Sequence, residues 1–146
     1  MSEMKEKWGS EVARRGFAQI PNYVLQLNQF LDPDKKLTPV ELLVLLQIVG
    51  AWWKKDTMPF PSMVTIAARC GVSDRQVQRA INNLVKRELL VRVARQQENG
   101  IRATNAYDLE PFVRFLAEVA KAFPNAFPRT LVAGKERRQG TELAQG

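Results

Sequence analysis

The segment from Ser62 to Leu109 constrains the fold most strongly, because it combines two helix starts, a glycine between the helices and a hairpin signal. Ser62 is suited to cap a short helix, and Gly71 would end that helix in a left-handed conformation. Ser73 caps the next helix, and Gln76 stands three residues later as its capping-box partner. So short a turn predicts two helices that cross steeply.

The second of these helices, residues 73–87, has two chemically different faces. At about 100° per residue, Val77, Ile81 and Leu84 fall on one side. The opposite side is polar and basic, and arginine there can donate two hydrogen bonds to guanine, while asparagine and glutamine can bond adenine. The candidate base-reading residues are Arg75, Gln78, Arg79 and Asn82, with Asn83 at the edge of the stripe.

A hairpin is predicted after the second helix. Leu89–Val93 and Ile101–Leu109 favour strands, and Asn99-Gly100 is a strong signal for the turn between them. Basic residues near the hairpin tip could reach a phosphate backbone or a minor groove, although a hairpin that only faces solvent is the alternative. The candidate DNA-backbone contacts are Ser62, Ser73, Lys86, Arg92, Arg95 and Arg102.

The clearest single helix begins at Thr38, which supplies an N-cap, followed by a first-turn proline and by Glu41 as the capping-box glutamate. Its body is apolar nearly all round as far as Trp53, so we expect it at the centre of the core. The lysines at 54 and 55 suit its C-terminal end. Of the tandem tryptophans, we expect one in the core and one at an interface.

Helices are also predicted on both sides of this central region. Asn22–Phe30 favours a short helix, and Glu110–Phe123 favours an amphipathic one that either packs on its own domain or forms a dimer contact. The expected fold class is mainly α with a small β-hairpin. We expect residues 1–16 to be flexible or short-helical, residues 17–127 to form the domain, and residues 128–146 to be a disordered tail.

Composition excludes several functions. The chain has no histidine and a single cysteine, so neither a Cys/His zinc site, an internal disulfide nor a histidine-dependent triad can form. No phosphate-binding glycine loop is present. We therefore expect no enzymatic activity, no cofactor and no metal, and no small-molecule substrate is evident.

Charge and hydropathy indicate the compartment and the kind of partner. The net charge of +7 favours a polyanion, most commonly nucleic acid. No apolar run approaches the roughly 20 residues that a membrane span needs, which predicts a cytoplasmic protein without membrane contact.

Residues 61–84, PSMVTIAARCGVSDRQVQRAINNL, resemble the winged helix-turn-helix domains of plasmid, phage and other mobile-element proteins, including replication initiators. The ending NAYDL at 105–109 resembles the end of their wing, and the segments 17–21 and 37–41 resemble their opening. The resemblance implies binding of double-stranded DNA and a role in transcriptional regulation or in plasmid replication and maintenance. Homodimer formation stays open.

A second function class is a protein–protein adaptor within a replication or conjugation complex. Interfaces of that kind carry more exposed apolar side chains than a nucleic-acid surface does. The face of Arg75, Arg79 and Asn82 therefore discriminates between the two classes, since an adaptor should expose apolar residues there.

Overall fold

Local capping and apolar periodicity produce most of the elements in the computed structural model, which describes residues 2–96, 100 and 103–127. About 56% of the described residues are helical when the 3-10 turns are included. The elements follow in the order α1 (Ser2–Trp8), α2 (Ser10–Ala13), α3 (Asn22–Leu25), α4 (Pro39–Gly50), α5 (Met63–Cys70), α6 (Asp74–Lys86), β1 (Val91–Val93), β2 (Ala106–Asp108) and α7 (Glu110–Ala122). The architecture is a winged helix-turn-helix with flanking helices, as the sequence predicts.

Helix α4 is the central scaffold. Its capping box is complete, because the Thr38 hydroxyl accepts a hydrogen bond from the Glu41 amide at 3.1 Å and the Glu41 carboxylate accepts one from the Thr38 amide at 2.8 Å. The side chains of Val44, Leu45 and Ile48 are fully buried. Helices α5 and α6 both pack against α4, so the core lies between these three helices.

The predicted end of this helix at Trp53 is wrong. The last helical residue is Gly50, and the chain then turns tightly, with Lys54 and Thr57 forming an isolated antiparallel bridge. The lysines at 54 and 55 therefore lie in a turn rather than in the last turn of α4. The early stop brings the chain back so that the carbonyl of Pro59 can accept a hydrogen bond from the Tyr107 amide of β2 at 2.9 Å.

The turn between α5 and α6 has the geometry that its glycine predicts. Gly71 adopts a left-handed conformation with φ of 71°, which favours glycine. The amides of Gly71 and Val72 both donate to the carbonyl of Ala67, which satisfies the end of α5. Helix α6 begins immediately afterwards at Asp74, behind its Ser73 cap.

The wing is a two-stranded antiparallel ladder in which Arg92 pairs with Tyr107. Both strands are shorter than predicted. Leu89 and Leu90 are buried against α6 instead of lying in the ladder, because the Leu89 amide bonds back to the carbonyl of Leu84. The predicted Asn99 turn and most of the hairpin tip lie outside the described residues.

The flanking segments close the other side of the domain. The predicted helix Asn22–Phe30 is divided into α3 and a 3-10 turn at Leu27–Phe30. This bend lets the ring of Phe30 pack against that of Phe123 after α7, with ring centroids 4.7 Å apart, while Tyr23 donates a hydrogen bond to the Phe123 carbonyl. One apolar side of α7 thus packs on its own domain.

At the N-terminus, α1 and α2 meet at Gly9. The predicted tail at 128–146 lies outside the described residues. Among the described helices, none has both the length and the apolar character needed to cross a membrane.

Candidate nucleic-acid interface

Helix α6 presents a polar and basic face to solvent. Its buried side consists of Val77, Ala80, Ile81 and Leu84, which pack against α4 and α5. The residues predicted to read bases or phosphates from this helix are all exposed: Arg75, Gln78, Arg79, Asn82 and Lys86. Within α6, whose residues are all described, no large apolar side chain is exposed. The exposed face therefore has the composition of a nucleic-acid surface, not that of an adaptor.

Two predicted backbone contacts, Ser62 and Ser73, act as helix caps. The Ser62 hydroxyl accepts a hydrogen bond from the Thr65 amide at 3.1 Å and donates one to the Thr65 hydroxyl at 2.9 Å. The Ser73 hydroxyl accepts from the Gln76 amide, also at 3.1 Å. Each serine thus fixes the start of a helix, and its own hydroxyl is largely occupied.

Asn82 and Arg92 join the recognition face to the wing. A guanidinium nitrogen of Arg92 donates a hydrogen bond to the side-chain oxygen of Asn82. Because arginine can only donate, this contact assigns the orientation of the Asn82 amide, with its oxygen on Arg92 and its NH2 group directed elsewhere. Bidentate pairing with adenine needs that oxygen as an acceptor as well. One of the two lone pairs of that oxygen is used by Arg92, so Asn82 pairs with adenine only in an orientation that keeps this contact.

Asn83, predicted at the edge of the polar stripe, has a structural contact. Its side-chain amide donates to the second carboxylate oxygen of Glu41 at 2.9 Å. Glu41 is only 6% exposed, so this hydrogen bond satisfies a buried acceptor. Asn83 therefore fastens α6 to the start of α4 through its side-chain amide.

Arg95 lies against the segment that precedes α5. Its guanidinium stands 3.9 Å from the centre of the Phe60 ring and donates to the carbonyl and hydroxyl oxygens of Thr104, both at 3.2 Å. The Thr104 hydroxyl in turn donates to the Phe60 carbonyl at 3.1 Å. Arg95 is consequently half-buried and holds the wing to the chain before α5. Its predicted companion at the hairpin tip, Arg102, lies outside the described residues.

Two groups near this surface have shifted acidities. Burial raises the pKa of the Tyr107 phenol, and the positive charge of the paired Arg92 opposes the rise. Burial also raises the pKa of the Cys70 thiol, which disfavours the reactive thiolate. Cys70 packs at the edge of the core, consistent with a small apolar role.

These residues do not form a metal centre. In the part of the chain that the structure describes, no group of three or more histidine, cysteine, aspartate or glutamate side chains could hold a metal ion. The site is instead a surface of arginine and amide side chains at the start of a helix. Such a surface suits an extended anion.

The comparisons with known proteins agree with this geometry. Residues 35–90 match the family model of a helix-turn-helix domain, a range that contains α4, α5 and α6. A comparison with curated proteins finds no match. Helix-turn-helix domains are typically non-enzymatic, and the match indicates that the chain binds double-stranded DNA.

Proposed function

We propose that the protein binds duplex DNA with a sequence preference, by placing α6 in the major groove. The observation that carries the proposal is the exposed stripe of Arg75, Arg79 and Asn82 on a helix whose opposite face is buried. A major groove is about 12 Å wide and admits one helix of this kind.

The two arginines are assigned the main part of base recognition. Residues near the N-terminal end of a recognition helix usually enter the groove most deeply. Arg75 and Arg79 lie one turn apart in the first half of α6, and Gln78 lies beside them. Lys86, in the last turn, is placed to contact phosphate.

The wing is assigned a supporting role. Arg92 is exposed, so it can approach a phosphate while it holds Asn82. Arg95 acts mainly by positioning the wing, since its guanidinium is already engaged by Phe60 and Thr104. The backbone amides at the starts of α5 and α6, which Ser62 and Ser73 cap, can approach phosphates more readily than the two hydroxyls can.

The biological setting follows from the resemblance of residues 61–84 and 105–109 to mobile-element proteins. We propose a transcriptional regulator or a replication and maintenance factor of a plasmid or other mobile element, acting in the cytoplasm. A palindromic target would indicate that two copies bind as a symmetric dimer, each reading one half-site.

The test is a selection of bound sequences from random duplexes, followed by measurement of affinity for the selected and for unrelated duplexes at several salt concentrations. If about six phosphates are contacted, affinity should fall about a thousandfold between 50 and 200 mM salt. The selected duplex should bind more tightly than an unrelated one at every salt concentration. A folded protein that binds no duplex at low salt would refute the proposal.

A further inference from the structure

A groove of about 720 Å³ is lined by residues other than those of the recognition stripe. It runs between the C-terminal half of α4, the chain from 51 to 61, and α5. Among the described residues, none from α6 or from either strand lines it. Its apolar lining includes Leu46, Ala51, Trp53, Met58, Phe60 and Pro61.

Three large apolar side chains in this lining are exposed. Trp53 is 70% exposed, Phe60 is 49% exposed and Met58 is 37% exposed. Scattered apolar residues on a surface are ordinary, but a group of them around one groove is typical of an interaction site. Tryptophan, phenylalanine and methionine are also the residue types enriched in protein interfaces.

The charged residues of this groove share one sign. Lys54 and Arg69 line it, and none of its described lining residues carries a carboxylate. The guanidinium of Arg69 donates to the side chain of Gln47 in α4 at 3.4 Å, which keeps it along the groove. Lys55 adds a second lysine in the same turn, and Asp56 beside it offsets one of these charges.

We propose that this groove, named the α4–α5 groove, binds an acidic amphipathic segment of a partner protein. The apolar lining would accept one face of such a segment, and Lys54 and Arg69 would pair with its carboxylates. Duplex DNA fits less well, because its interfaces are polar and strongly basic. The proposal does not depend on DNA binding, although a separate groove lets one molecule hold DNA and a partner together.

Single-stranded nucleic acid is the competing occupant, since it combines basic grooves with aromatic stacking. Phe60 can offer a base only one face of its ring, because the Arg95 guanidinium lies over the other face at 3.9 Å. Trp53 is the more exposed aromatic ring of the groove, and it shares the lining with the aliphatic side chains of Leu46 and Met58. An aliphatic surface favours a peptide over a base.

The test uses fluorescently labelled peptides of about 16 residues, long enough to form a helix. One peptide carries leucine at helical spacing i, i+3, i+4 and i+7 with glutamate elsewhere. A second replaces the glutamates by lysine, and a third scrambles the leucine positions. We expect saturable binding of the first peptide to the full chain by fluorescence anisotropy, with at least about tenfold weaker binding of the other two.

Two variants locate the binding site. Trp53→Ala and Arg69→Glu should each weaken binding of the acidic peptide by at least about tenfold, as anchors of an interface do. The matched controls are Trp8→Ala and Arg114→Glu, which should leave binding of the acidic peptide unchanged. The first removes another half-exposed tryptophan, in α1, and the second reverses an exposed charge on α7. Thermal unfolding of each variant establishes that it is folded.

Other results would overturn the proposal. If the control variants weakened peptide binding equally, the peptide would be attracted by net charge alone. If duplex DNA displaced the peptide, the peptide would bind on α6. Tight binding of oligo(dT) that Trp53→Ala abolishes would assign the groove to single-stranded nucleic acid. Self-association that requires Trp53 would assign it to a second copy of the chain. Trp53→Ala should leave duplex affinity unchanged throughout.

Discussion

The carboxylate of Glu41 accepts a hydrogen bond from the Asn83 side chain at 2.9 Å, while its other oxygen caps the start of α4 at the Thr38 amide. One buried side chain therefore completes a capping box and also fixes α6, 42 residues further along the chain. Burial of a carboxylate is costly unless its oxygens are satisfied. The position of the recognition helix relative to the scaffold is thus linked to the cap of α4.

Asn83→Ala should destabilise the domain by about 1–3 kcal/mol, because it leaves a buried oxygen of Glu41 without a partner. Asn82→Ala is the matched control, since it makes the same substitution at the preceding residue of the same helix and leaves the hydrogen bond from Asn83 to Glu41 in place. Urea unfolding measures both. Equal losses of stability would show that the Glu41 contact contributes nothing beyond helix propensity.

The contrast between these two contacts of Glu41 shows what the sequence could predict. The spacing of Thr38 and Glu41 reveals the capping box, because its partners are three residues apart and helix geometry brings them together. Nothing local relates Glu41 to Asn83, so the sequence places Asn83 beside the polar stripe and does not reveal its contact with Glu41. The exposed face of α6 was predictable for the same reason as the capping box, since it depends on helical periodicity alone.

The wing was harder to predict because its contacts join distant segments. Leu89 and Leu90 have the composition of a strand, yet the packing of α6 buries them outside the ladder. In the sequence, Arg95 is a basic residue near a predicted hairpin tip. Its contact with the Phe60 ring joins distant segments of the chain, so no local pattern indicates it. The early end of α4 likewise depends on the return of the chain to β2.

Arg92→Ala should change the base preference at the position that Asn82 contacts. Without Arg92, the Asn82 amide is free to turn and pair with adenine, so the preference should shift toward adenine at that position. Selection from random duplexes with each protein measures the shift. Arg114→Ala, which removes an exposed arginine on α7, is the control for loss of charge. An unchanged preference would mean that the Arg92 contact does not orient Asn82 on DNA.

Arg95→Ala should lower the stability of the domain by about 0.5–1 kcal/mol, because it removes the contact with the Phe60 ring. Arg95→Lys keeps the charge but cannot reproduce the planar guanidinium that spans Phe60 and Thr104. Both variants should therefore accelerate hydrogen exchange at the Tyr107 amide, which bonds to Pro59. If lysine instead restored both stability and salt dependence of DNA binding, Arg95 would act as a simple phosphate contact.

Arg75→Ala and Arg79→Ala should each weaken binding to the preferred duplex by about 1–3 kcal/mol and relax specificity at one base pair. On unrelated duplexes the same variants remove only a charge, so the decrease in affinity should be smaller. Lys86→Ala is the matched control, because a phosphate contact from the same helix should weaken all duplexes alike and make the salt slope shallower by about one unit. The quantity to measure is the ratio of specific to nonspecific affinity for each variant. That ratio should fall for the two arginine variants and hold for Lys86→Ala. If all three variants instead weaken every duplex equally, α6 holds the DNA backbone and sequence is read elsewhere.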